Sequence, residues 1–286
     1  MQILAATDFS TRSNRALRQA GLLAQAQKDS RLHVVHVVDD DQPDDLIRIE
    51  KREAERLLGE QISSMPELQG TRSRALVVTG DPFDGILKAA NEVNADLIVM
   101  GSHRKQMLLE IFTGTTIERV ARKGNFPVLM VNHEAQRKYT NVVASTDMSE
   151  NSANALKVAL STGLIGDAGA TLLHAFPAPI KGKMYIAGAD QASMDSYIEK
   201  ERQQAMDELL RFLSANGMQD GRWFYRLEEG APMEIIARAV SEMRPDLLVM
   251  GTHGRSAVSK VLMGSVTVEA LRTLNVDILV VPPVKR

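Results

Sequence analysis

LAATDFSTRSNRAL, from Leu4 to Leu17, and VASTDMSENSANAL, from Val143 to Leu156, are two versions of one phrase. Each is a short apolar run, then Thr-Asp, then a polar turn, then an Ala/Leu-spaced stretch. Asp8 aligns with Asp147 and Ser10 with Ser149. Further along, His36 in LHVVHVV answers His174 in ATLLHAF, and Gly80-Asp-Pro82 answers Gly230-Ala-Pro232. ADLIVMGSH from Ala95 answers PDLLVMGTH from Pro245, and Gly114-Thr115 answers Gly264-Ser265. Matches in one unbroken order are the mark of a duplicated unit. The reading is two tandem domains, 1–133 and 140–286. They are joined by the polar stretch NHEAQRKYT (132–140), which has no core pattern.

Within each copy, short Val/Ile/Leu runs alternate with helical periodicity. The runs 3–6, 32–38, 75–79, 97–100 and 128–131 read as strands, with counterparts at 141–145, 171–175, 223–227, 247–250 and 278–281. Arg12–Lys28 puts Ala16, Leu17, Ala20, Leu23 and Ala24 on one stripe, and Ile198–Leu213 does the same with Ala205, Met206, Leu209, Leu210 and Leu213. Pro82 and Pro232 suit a first helical turn. The fold class expected is α/β, with two doubly wound five-stranded parallel sheets. In such sheets ligands bind beyond the carboxyl ends of the strands, where strand order switches.

That rule directs attention to LLVMGTHGRSAVSKVLMGSVTVEALR, starting at Leu247. Gly251 and Gly254 follow a strand, and Gly264-Ser265 opens a helix expected over Val266–Leu274. Glycines let backbone approach a ligand closely, and a helix start offers unpaired N–H groups to an anion. Ser265 is the expected N-cap. The spacing Gly-x2-Gly-x9-Gly-Ser, beside an Asp just past the first strand, resembles the universal stress proteins, in their adenine-nucleotide-binding branch. The resemblance extends over the whole chain as two consecutive domains. It implies that Asp147 meets the adenine edge and that the backbone of Ala175 meets the base. It further implies that Met250, Gly251, His253 and Gly254 line ribose and phosphates, and that Gly264, Ser265, Val266 and Thr267 hold the phosphates. The expected ligand is ATP or another adenine nucleotide, with magnesium as its companion ion.

The first copy departs from this pattern. Asp8, Val37, Gly101, His103, Gly114 and Thr115 are the weaker counterparts, and Arg104 stands where the motif has its second glycine. Arg104 either obstructs the cradle or pairs with a phosphate. The resemblance also implies pairing of last strands, here 128–131 with 278–281 of the same chain, and a homodimer is a further expectation.

Composition excludes other classes. The 286 residues carry 44% hydrophobic and 24% charged residues, a net charge of −2 and no cysteine. With a pI near 6.3, no basic footprint for nucleic acid is present. Thiolate and Cys-zinc chemistry are excluded. The start MQILAATDFS lacks a signal-peptide pattern and no long apolar run appears, so the expectation is a cytoplasmic protein without membrane or nucleic-acid partners. Walker A, GxGxxG, GxSxG and kinase motifs are missing. Without a paired acid and base, no catalytic residues are assigned. The function expected is a nucleotide-binding stress-response regulator, the alternatives being a slow ATPase or a scaffold. RIEKREAER (48–56) reads as a solvated helix face, the spacing of the histidines gives no metal site, and 184–194 reads as a loop or a flap over the second site.

Overall fold

The computed structural model describes residues 1–102, 115–135, 137–254 and 263–284. The first copy runs β1 (Gln2–Ala6), α1 (Thr11–Ala26), β2 (Arg31–Val38), α2 (Asp44–Ser64), β3 (Arg72–Thr79), α3 (Pro82–Glu92), β4 (Leu97–Gly101), α4 (Thr116–Lys123) and β5 (Val128–Val131). The second runs β6 (Val142–Ser145), α5 (Glu150–Ser161), β7 (Ala170–Phe176), α6 (Lys181–Ile186), α7 (Gln191–Ala215), β8 (Trp223–Glu229), α8 (Pro232–Met243), β9 (Leu247–Gly251), α9 (Ser265–Thr273) and β10 (Asp277–Val281).

Among the described residues the strands form one ten-stranded sheet, ordered β3-β2-β1-β4-β5-β10-β9-β6-β7-β8. All neighbours are parallel except β5 and β10, which run antiparallel. Their register sets Leu129 opposite Leu279, with Val128 opposite Val280 and Met130 opposite Ile278. Leu129 faces its own repeat counterpart, and the Val128–Val280 pair is mirrored by Met130–Ile278 across a local two-fold relation, as in an isologous interface. The final strands thus lie at the centre of the sheet, and its free edges are β3 and β8.

The central strands are apolar because helices cover both faces. Ile3, Leu4, Leu97, Ile98, Leu129, Leu247, Leu248 and Leu279 are fully buried. Helix α1 buries Ala16, Leu17, Ala20, Leu23 and Ala24, and its start is fixed by Ser10, whose side chain accepts from Ser13 N. Ser149 does the same for α5 from Ser152 N. Pro82 and Pro232 occupy first helical turns, as their sequence context suggests.

Three sequence expectations change. The 184–194 stretch is mostly helical, because α6 and the start of α7 take all of it but residues 187–190. Asp190 starts α7 by accepting from Ser193 N, a capping signal hidden among Gly and Ala. Leu210, assigned to the buried stripe, is exposed, since α7 packs along Ala205, Leu209 and Leu213. Ser265 is not the N-cap of α9: Gly264 holds that position with extended backbone, and Ser265 is the first helical residue.

Candidate functional site

In each copy the strand order switches beside the first strand: β1 lies between β2 and β4, and β6 between β7 and β9. The turn leaving β6 carries Thr146, Asp147 and Met148. Met148 has a φ of 61°, the same value as Phe9 in the first copy. Left-handed backbone at a non-glycine residue is costly and persists where surrounding bonds enforce it. Here Thr146 Oγ1 accepts from Met148 N at 3.0 Å and bonds Ser152 Oγ at 3.0 Å. Ser149 donates twice to Asp147 Oδ1, from N at 3.1 Å and from Oγ at 2.6 Å. His174 Nδ1 lies 2.7 Å from Thr146 O, tying the end of β7 to the same turn.

The end of β9 comes to this turn from the other side. A Cβ placed on Gly254 would sit 3.1 Å from Asp147 Oδ2, and one on Gly251 would sit 3.4 Å from Asn151 O. Thr252 is buried; its N donates to Val281 O at 2.9 Å, and its Oγ1 lies 2.7 Å from His253 Nδ1. Gly264 N donates to Thr252 O at 2.8 Å, and Thr267 Oγ1 donates to Gly251 O at 2.9 Å. The start of α9 is thereby pinned to the strand end. Among the described residues no side chain caps α9, and the first N–H groups of a helix suit an acceptor.

These contacts bring together Asp147, Gly251, His253, Gly254, Gly264 and Thr267. Ser265 is exposed and Val266 half-buried in the first turn of α9. Ala175 is half-buried near the carboxyl end of β7, beside Glu228. The side chain of Met250 is buried in the core below, which leaves its backbone as the part that can face a ligand. Thr252 and Asn151 were not singled out from sequence. The available signal for Thr252 was its hydroxyl match with Ser102 in the other copy.

The first copy is built more tightly. A Cβ on Gly101 would come within 2.5 Å of Arg12 O, against the 3.4 Å found at Gly251. Helix α4 is capped: Thr115 Oγ1 accepts from Glu118 N at 3.2 Å. Glu118, 1% exposed, places a carboxylate in the first turn of α4, where the second copy has Val268. Burial works to raise the Asp8 carboxyl, but hydrogen bonds from Ser10 and Ser13 outweigh it and hold the group below its ordinary value. Val37 is half-buried against the position of Gly85, and the Phe9 ring lies 4.4 Å from that of His36. His103, Arg104 and Gly114 lie outside the described residues.

The family model described as "Universal stress protein family" matches residues 1–132 and again 138–282. The chain belongs to the universal stress protein family. A universal stress protein of Methanocaldococcus jannaschii is 39% identical over 75 residues, 26% of this chain and 46% of that protein. One from Thermus aquaticus is 34% identical over 139 residues, 45% of this chain and 96% of that protein. Universal stress protein E of Escherichia coli is 24% identical over 211 residues, spanning 71% of this chain and 65% of its own length. The crystal structure of a universal stress protein from Archaeoglobus fulgidus superposes with a TM-score of 0.68 at 20% identity, covering 99% of this chain and 98% of that one. Its agreement concerns the fold. Two universal stress protein units in one chain account for the repeat, and among the described residues no helix is long and apolar enough to cross a membrane.

Proposed function

We propose that the second domain, 140–286, binds an adenine nucleotide, ATP or a relative, and that the protein acts in stress response through that binding rather than through fast turnover. The observation that carries the reading is the start of α9, which no described side chain caps and which Gly264 N and Thr267 Oγ1 pin against a β9 end that lies beside Asp147. Backbone N–H groups there suit phosphate oxygens. The Asp147 carboxylate suits an exocyclic amine. In this reading Ala175 meets the base, Gly251, His253 and Gly254 border ribose and phosphates, and Ser265 and Val266 donate from their backbone. A magnesium ion would travel with the phosphates. The first domain, 1–133, with its capped α4 and the Glu118 carboxylate in the first turn, is the poorer anion site and supports the second structurally. The two domains pair through β5 and β10 as one unit, so the pairing is independent of protein concentration.

Isothermal titration of ligand-stripped protein with ATP, beside Gly264→Arg, tests the proposal. One saturable site per chain, abolished by the substitution, supports it. A wild type without saturable binding overturns it. Analysis of the nucleotide recovered afterwards reads out hydrolysis.

A further inference from the structure

The local two-fold relation between β5 and β10 allows each contact at this seam to be compared with the contact its repeat counterparts would make. The motif offset of 150 residues, from Gly114 to Gly264, pairs Pro127 with Asp277, Asn132 with Pro282, His133 with Pro283, Glu118 with Val268 and Arg122 with Arg272. The polar contacts are one-sided. The Asp277 carboxylate, with its side chain 5% exposed, accepts from Asn132 N at 2.7 Å, His133 N at 3.0 Å and Tyr139 Oη at 2.7 Å. Arg272 donates to Glu118 from Nε and Nη2, both at 2.7 Å. Neither contact has a mirror image, because Pro127 has no carboxylate and Val268 no charge.

We propose that Asp277 and Arg272 are an address that fits the second domain to the first and bars it from pairing with a second copy of itself. The inference rests on the intrachain pairing of β5 with β10. In a pair of second domains, each Asp277 would face Pro282 and Pro283 of the other copy, and proline has no N–H to donate. The carboxylate would be buried without its two backbone donors, the kind of loss that outweighs an apolar contact of similar size. Each Arg272 would meet Val268. A pair of first domains carries no such bar: Glu118 of one copy would face Arg122 of the other, twice, and the N–H groups of the half-buried Asn132 and the exposed His133 can turn to water. Recognition of one partner by exclusion of another is a general device for specificity.

The test uses the full chain and light scattering, where the 31.4 kDa monomer and a dimer of twice that mass are distinct. Leu129→Arg spoils β5 and leaves β10 seeking a partner; the expected result is a monomer at all concentrations. Leu279→Arg spoils β10 instead and is expected to dimerise through first domains. Adding Arg272→Met and Asp277→Asn to Leu129→Arg is expected to restore a dimer. A dimer from Leu129→Arg alone overturns the address, as does a folded triple variant that stays monomeric. A second measurement reads the pairing directly, because the chain has no cysteine of its own to compete for a disulfide. Leu129→Cys with Leu279→Cys should close a disulfide within one chain, and Leu279→Cys alone should form none between chains. Failure of the double variant to close overturns the pairing itself; an interchain link in the single variant overturns only the exclusion.

Discussion

Gly254 lies against Asp147: a β-carbon added to the glycine would come within 3.1 Å of Oδ2 of the carboxylate. Two segments more than 100 residues apart in sequence therefore share one small space. Gly254→Val should displace the Asp147 carboxylate and narrow the cleft, while Gly254 itself is exposed and contributes little to the core. The expected outcome is an ATP affinity at least about tenfold weaker, roughly 1.4 kcal/mol, with a thermal midpoint near that of the wild type. Titration calorimetry and scanning calorimetry check the two halves of that statement. Unchanged affinity would remove this glycine from the site.

Gly101→Ala and Gly251→Ala are the same substitution at equivalent positions, with different expected costs. At Gly101 the new methyl group meets the backbone of Arg12 and Ser13, which cannot swing away. A loss of about 2 kcal/mol is expected from overpacking. At Gly251 the nearest atom stands at ordinary contact distance, and the loss should be well under half of that. Urea unfolding of the two variants gives the comparison; equal losses would contradict the tighter packing of the first domain.

Arg272→Met should destabilise the protein by about 2 kcal/mol, in the range for losing hydrogen bonds to a buried charged group. Arg272 is 46% exposed, but Glu118 is 1% exposed and would be left buried without its partner. Replacing both residues by methionine should recover most of the loss, because the cost lies in the stranded carboxylate rather than in the missing pair. A double-mutant cycle by chemical denaturation measures this. Additive losses would disprove the coupling.

Asp277 gives a pH dependence with a definite sign. Burial is the largest influence and holds its carboxyl above the ordinary value of 3.8, against hydrogen bonds from Tyr139, His133 and Asn132. The imidazole of His133 stands 4.0 Å away. A carboxyl raised on folding binds its proton more tightly in the native state. Its stabilising contribution is full below the unfolded value of about 3.9 and is lost as pH climbs through the folded value. Asp277→Asn, which can still accept from both backbone N–H groups, lacks this titration. The stability of the wild type relative to Asp277→Asn should therefore fall as pH rises from about 4 toward neutrality. A constant difference across denaturation curves in that interval would show that Asp277 does not titrate as its burial demands.

The repeat and the ten strands were legible because they rest on local pattern, buried parallel strands being continuous apolar runs; the place of Gly254 against Asp147 follows from a close backbone approach that favours glycine. The role of Gly264 as cap was not legible, because Gly and Ser are both good N-caps and the choice depends on where the chain leaves Thr252. Helix α6 was hidden by its Gly-Ala surroundings, whose weak propensity is overridden by context. Glu118, Arg272 and Asp277 read as ordinary charges within helix and strand patterns. Their significance appears only when β5 and β10 meet, since it depends on which residue lies opposite rather than on which lies beside them in sequence.

The reversal of strand direction between β5 and β10 has a consequence for anything that visits the molecule. Within each domain every strand points the same way, so the two sets of carboxyl ends open toward opposite poles of the sheet. A protein surface resting flat on one pole leaves the far one uncovered. A surface that met the carboxyl ends of the second domain's strands would meet the amino ends of the first domain's.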